Sequence, residues 1–131
     1  MKGMIILVIA VVSACSAFFV ETAQAAADVK DEVHFDFRGR DVDMYVPDTA
    51  PAMGNRALLV VLHGGMGNAE GVRQSLQMDG MANKYGFLIA YLNGNPARIN
   101  ANMKTWNAGA CCGLAQHNNV DDVGYITAAI N

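Results

Sequence analysis

The chain has 131 residues, 53% of them hydrophobic and 16% charged, with nine Lys and Arg against twelve Asp and Glu and a formal net charge of −3. This apolar content excludes a disordered polar chain, and the absence of clustered basic residues excludes a nucleic-acid-binding surface. The length allows one domain at most beyond a targeting segment. From the N-terminus, a single cation, Lys2, precedes a run without charge from Gly3 to Val20, and Ala23-Gln24-Ala25 follows as a small-x-small triplet. A basic start, an apolar centre and a small-residue cleavage site predict a secretory signal peptide over residues 1–25. The run is at the short limit for a spanning helix, and the Ala-rich exit favours cleavage. No stable membrane span is therefore expected in the mature chain, which is placed outside the cell or in the periplasm. Val12-Ser13-Ala14-Cys15 also has the form of a lipoprotein cleavage site. The residues after Cys15 stay apolar where a lipidated tether turns polar, so lipidation at Cys15 is the minority alternative.

In the mature part, Val33-His34-Phe35-Asp36-Phe37 alternates apolar and polar residues. Arg38-Gly39-Arg40 turns the chain, and Val42-Asp43-Met44-Tyr45-Val46 follows. Period-two alternation around a glycine turn predicts a β-hairpin with one buried face and His34 on its solvent side. Pro47 ends the hairpin, and residues 48–56 read as a loop. Ala57–Leu62 is a continuous apolar run, the pattern of a strand covered on both faces. It leads into His63-Gly64-Gly65-Met66-Gly67. Asn68 is placed to cap a helix running to about Tyr85, with Gly86 as its terminating glycine. Phe87–Leu92 is a second buried-type strand.

Residues 93–118 read as one long loop holding Trp106, the only tryptophan, and the adjacent Cys111 and Cys112. Asn119 is placed to cap a last helix, with Asp121 and Asp122 as favourable charges in its first turn and Val120, Val123, Ile126 or Thr127, and Ile130 on its apolar side. Buried strands alternating with helices predict an α/β fold with a parallel sheet. Such a sheet needs more than two parallel strands, so the expectation is an incomplete one, the N-terminal part of a larger domain over residues 26–131.

The glycine turn carries the most chemistry. Glycines at the end of a parallel strand leave backbone N–H groups unhindered, and such groups can stabilise charge developing on a substrate oxygen. A plain strand-to-helix turn uses the same residues. A nucleotide loop is disfavoured, because neither G-x-G-x-x-G nor G-K-[ST] occurs.

Leu62-His63-Gly64-Gly65, Asn68-Ala69-Glu70-Gly71, Tyr85-Gly86-Phe87, Asn93-Gly94, Trp106-Asn107-Ala108-Gly109, Cys111-Cys112-Gly113 and Val120-Asp121-Asp122-Val123-Gly124-Tyr125 stand in this order along the chain. In this series the chain resembles the secreted polyhydroxybutyrate-depolymerase-like esterases, a group that includes feruloyl and acetylxylan esterases. It departs from their pattern at Leu92-Asn93, where Pro-Asp is expected, and at Asn68, often a serine.

The resemblance implies an α/β-hydrolase fold and a serine hydrolase acting on carboxylic esters, with a polyester or a plant polysaccharide ester as substrate and no cofactor. It implies that Gly64, Gly65 and Met66 offer backbone N–H groups to the oxyanion and that His63 supports this loop without moving protons. The nucleophile of such enzymes lies in a G-x-S-x-G elbow, and that motif does not occur here. Ser75, the mature chain's only serine, lies within the first helix, so no catalytic triad is assigned and the fragment is expected to be inactive. A non-catalytic secreted polysaccharide-binding module, or a lipoprotein, is the alternative.

Trp106 either lines a substrate groove or anchors its loop, and the anchor is preferred. Cys111 and Cys112 either join as a vicinal disulfide or each pair elsewhere with cysteines that this chain does not contain. With His117 they form a Cys-Cys-x4-His group, which lacks the spaced cysteines and fourth ligand of a zinc site, so no metal is expected. A thiol nucleophile based on His117 is disfavoured by an oxidising compartment.

Overall fold

The computed structural model describes residues 32–50 and 56–131. The predicted signal peptide, Cys15 and part of the loop before the first apolar strand lie outside them. Strands β1 (Glu32–Phe37) and β2 (Arg40–Tyr45) form the antiparallel hairpin. Arg38 and Gly39 both take positive φ, 54° and 77°. Two left-handed residues in a two-residue loop match the right-handed twist of the flanking strands, and the Asp36 carboxylate accepts from the Gly39 N–H at 3.0 Å.

Strands β3 (Leu58–Leu62) and β4 (Leu88–Leu92) pair in parallel, Leu58 opposite Leu88 and Leu62 opposite Leu92. Between them run α1 (Ala69–Leu76) and α2 (Asp79–Tyr85). One continuous helix was the expectation for this crossover. Gln77 interrupts it, taking the left-handed conformation at φ 50° while its N–H closes on the Arg73 carbonyl. The second helix is then pinned through Asp79, which accepts from Arg73 Nε and from the Tyr91 hydroxyl, both at 2.8 Å. The predicted caps form at the outer ends. Asn68 Oδ1 accepts from the Gly71 N–H at 2.7 Å, and Gly86 takes φ 72°.

The mixed sheet has the order β1-β2-β4-β3, with β2 antiparallel to β4. The second apolar run is therefore paired on both of its sides. The hairpin returns to pair β2 with β4, which becomes an interior strand, and β1 and β3 are the edges among the described residues. Burial follows this order. Ile89, Tyr91 and Leu92 on β4 are at most 1% exposed, whereas Leu62 on β3 is 43% exposed. Each such buried side chain contributes roughly 1.5–3 kcal/mol. β1 does not bury a face as predicted; Val33 and Phe35 remain exposed.

Alternate residues of the inner strands serve two cores. Tyr45, Leu59, Val61, Ile89 and Tyr91 pack with Ala69, Val72 and Ala82 of α1 and α2. Val42, Val60, Ala90 and Leu92 pack with Tyr125, Ile126 and Ala129 of α4 (Asp122–Ile130) and with Trp106. The result is a helix–sheet–helix sandwich of the α/β class.

The segment predicted as one long loop contains two short strands, β5 (Asn95–Pro96) and β6 (Lys104–Thr105), and a short helix α3 (Gly113–His117). Asn119 does not cap α4. It takes φ 47° and closes the turn after α3 on the Gln116 carbonyl, while Asp121 caps α4 by accepting from the Gly124 N–H at 2.8 Å. The predicted apolar side of α4 is also displaced, with Val123 75% and Ile130 56% exposed. Asp122 turns into the protein to meet Arg40, and that rotates Tyr125, Ile126 and Ala129 onto the sheet. No helix among the described residues is long and apolar enough to cross a membrane.

Candidate functional site

The chain leaves β3 at Leu62, and the next residue, His63, is 4% exposed. Its imidazole lies between two backbone segments. Nδ1 donates to the Gly64 carbonyl at 2.7 Å, and Nε2 accepts from the Gly94 N–H at 3.0 Å. These bonds require the neutral ring with its proton on Nδ1. Burial lowers the His63 pKa below the usual histidine range, opposed by the bond to Gly64 and aided by the Lys104 charge. The ring thus joins the segment after β3 to the segment after β4.

Gly64 to Gly67 form a tight turn in which the Gly67 N–H donates to the Gly64 carbonyl at 3.0 Å. Met66 stands at its third residue with φ 65°, a left-handed conformation that costs a side chain on the order of 1 kcal/mol. Two bonds to β6 hold it there. The Met66 N–H donates to the Lys104 carbonyl at 2.9 Å, and the Lys104 N–H donates to the Gly67 carbonyl at 2.8 Å.

This corrects one predicted donor. The Met66 N–H is spent on Lys104, whereas the N–H groups of Gly64 and Gly65 donate to no partner among the described residues and lie at the surface. A side-chain carbon built on either glycine meets nothing within 4 Å. Both glycines thus combine an unspent N–H with open space at the Cβ position.

Trp106 is the anchor of its loop. Its indole N–H donates to the His63 carbonyl at 3.1 Å, and its ring packs with Val42, Ala90, Leu92 and Tyr125. Cys111 and Cys112 are joined to each other as a vicinal disulfide across a cis peptide bond. Within the same loop, the Ala108 N–H donates to the Cys111 carbonyl and the Cys112 N–H to the Trp106 carbonyl. His117 is exposed at the end of α3, and Ser75 is exposed on α1. His34, exposed as predicted, pairs with the buried Asp43.

Beside the turn lies a polar cleft of about 760 Å³ whose walls include Asn68, Arg73, Asp79, Asn93 and Lys104. Most of these groups are engaged in the fold. Asn93 accepts from the Ala69 N–H and donates to the Asp41 carbonyl, and Arg73 binds Asp79 and Glu32.

Two residues that shape the turn had no role given to them from the sequence: Gly94, which stood there only within Asn93-Gly94, and Lys104. A side-chain carbon on Gly94 would stand 2.5 Å from the Thr105 carbonyl oxygen and 3.2 Å from the Trp106 ring. A glycine just beyond a buried strand, here separated from β4 by Asn93, is the signal that marks such a close approach. Lys104 acts through its backbone, which leaves no trace in side-chain type. No family model and no curated protein matches the chain.

Proposed function

We propose that this chain carries the oxyanion-binding part of an exported serine carboxylic ester hydrolase of the polyhydroxybutyrate depolymerase and feruloyl esterase type. The observation that carries the proposal is the pair of unspent N–H groups on Gly64 and Gly65, held at the strand-to-helix turn by His63. In α/β-hydrolases the loop after the third strand supplies one oxyanion donor, and here the turn joins β3 to α1.

In acyl transfer the carbonyl oxygen of the ester gains negative charge as the tetrahedral intermediate forms. A fixed donor aimed at that oxygen is worth roughly 3–4 kcal/mol. The His63 bonds to Gly64 and Gly94 restrict the turn before substrate arrives, so little reorganisation is needed as the charge develops. His63 itself moves no proton, since both of its nitrogens are engaged by backbone groups. A Ser-His-Asp triad would supply nucleophile and base, and the 131 residues contain no G-x-S-x-G to serve as its elbow. Residues 1–25 are proposed as the export signal.

The coding frame beyond codon 131 tests this proposal. A G-x-S-x-G in frame, and a longer product that hydrolyses p-nitrophenyl esters in a manner impaired by His63→Ala, is the expected result. The 131-residue polypeptide alone turns over no p-nitrophenyl acetate. Turnover by that polypeptide, or a longer product without esterase activity, overturns the proposal in favour of a binding role. Export is read from the N-terminus of the mature protein, expected at Ala26 rather than at a lipidated Cys15.

A further inference from the structure

We infer that Asp122 and Arg40 are positioning residues for the glycine turn, acting on it through Trp106. The inference rests on the proposed oxyanion role of Gly64 and Gly65. Asp122 is 4% exposed, and its two carboxylate oxygens do different work. Oδ1 accepts from Arg40 Nη1 at 2.7 Å, which joins α4 to β2. Oδ2 accepts the backbone N–H of Asn107. The Asn107 side chain in turn donates to the Val120 carbonyl at 3.0 Å. Residue 107 is therefore tied to the start of α4 by both its backbone and its side chain.

Trp106 immediately precedes this anchor and follows the Lys104–Thr105 strand that pairs with the glycine turn. Its backbone is thus held from both directions, and its indole N–H is delivered to the His63 carbonyl at 3.1 Å. The Arg40 guanidinium lies 4.1 Å from the Tyr125 ring centroid and 5.8 Å from that of Trp106. The cation that neutralises Asp122 therefore also packs the indole. Next in line, the His63 ring, 5.2 Å from that of Trp106, donates to Gly64.

A pair serving stability alone needs only Arg40 and Asp122, and buried ion pairs by themselves add little to stability. The second oxygen's bond to Asn107 is what converts this pair into a support for the segment carrying Trp106. A carboxylate accepts both bonds at once with full charge. A neutral amide in its place has one oxygen and presents donors to Arg40 or to the Asn107 N–H.

The test is Asp122→Asn in the full chain, followed by nuclear magnetic resonance. The sole tryptophan gives one indole N–H signal. Its hydrogen exchange is expected to accelerate tenfold or more, with shifts in the Gly64 and Gly65 amide resonances and none at Ala82, the α2 residue buried in the opposite core. If the melting temperature falls while the indole exchange and both glycine amides stay as in the unmodified chain, the pair is structural only and the inference is overturned. Arg40→Lys is the milder second variant. It keeps a cation near Asp122 but gives up the planar group packed on Trp106, and it is expected to move the same resonances in the same direction by less. Unmoved resonances in a folded Arg40→Lys protein remove Arg40 from the inference. These readouts need no ester turnover, so a failure of the esterase proposal is recognised separately from a failure of this one.

Discussion

The indole N–H of Trp106 donates to the main-chain carbonyl of His63 at 3.1 Å. This bond ties the long segment after β4 to the residue that follows β3, and it leaves the His63 side chain free to bridge Gly64 and Gly94. The glycine turn is thereby held by elements far apart in the chain, and each support can be tested separately.

Gly94→Ala and Gly65→Ala should separate fold from function. The new methyl at position 94 would overlap the Thr105 carbonyl, whereas at position 65 it meets open space. Gly94→Ala is expected to destabilise the protein by about 1–3 kcal/mol, the usual cost of overpacking, and to alter the near-ultraviolet circular dichroism of Trp106. Gly65→Ala is expected to stay within about 1 kcal/mol of the parent. Urea unfolding of both variants decides the matter; equal losses would contradict the open face of the turn.

His63 makes stability depend on pH. Its folded pKa is lowered, mainly by burial, so below the ordinary value of about 6.5 the unfolded chain binds a proton that the fold excludes. Stability therefore falls as pH drops from about 6.5 through the folded value. Protonation would also set an Nε2 donor against the Gly94 N–H. Urea midpoints between pH 7.5 and pH 5 should fall, and His63→Gln should flatten that slope; an identical slope in the variant would rule His63 out as its source.

Asp43 acts with the opposite sign. Burial raises its carboxyl pKa, an effect larger than the lowering by His34. The stability linked to this group is fully present below the unfolded value, near 3.9, and is lost as pH rises through the raised folded value. At pH 7 the buried carboxylate is a net cost. Asp43→Asn is accordingly expected to melt at the same temperature as the parent or higher at pH 7, an advantage that disappears near pH 3.5. A clear drop in melting temperature at pH 7 would show that the His34 pairing outweighs the burial.

The Arg40–Asp122 pair should behave as one unit. Its side chains are only 10% and 5% exposed, and removing either alone leaves the other charge buried, which costs about 3–5 kcal/mol. Arg40→Met with Asp122→Leu removes both charges and is expected to cost well below the sum of the single changes. A coupling of about 1–3 kcal/mol from the double-mutant cycle is the expected figure, and strict additivity would contradict the pairing.

Much of the local structure was legible in the sequence because its causes are local. Gly39 turns the hairpin, Asn68 bonds an amide three residues on, and Gly86 accepts a left-handed conformation, all within one helical turn or one hairpin loop. The two apolar runs declared β3 and β4 for the same reason, as did the glycine turn between β3 and α1. Gln77 escaped because a non-glycine residue in the left-handed region carries no compositional mark, and its break is fixed by Arg73 and Tyr91 binding Asp79.

The sequence by itself determined the hairpin, the two buried strands flanking a helical crossover, the last helix and the glycine turn. Only the tertiary structure decided which amides of that turn are available, which strand lies inside the sheet and which face of α4 is buried. Those outcomes depend on partners that meet only after folding. Lys104 takes the Met66 N–H, β2 pairs with β4, and Arg40 draws in Asp122, 82 residues away, which besides standing in the first turn of α4 as expected binds across the fold.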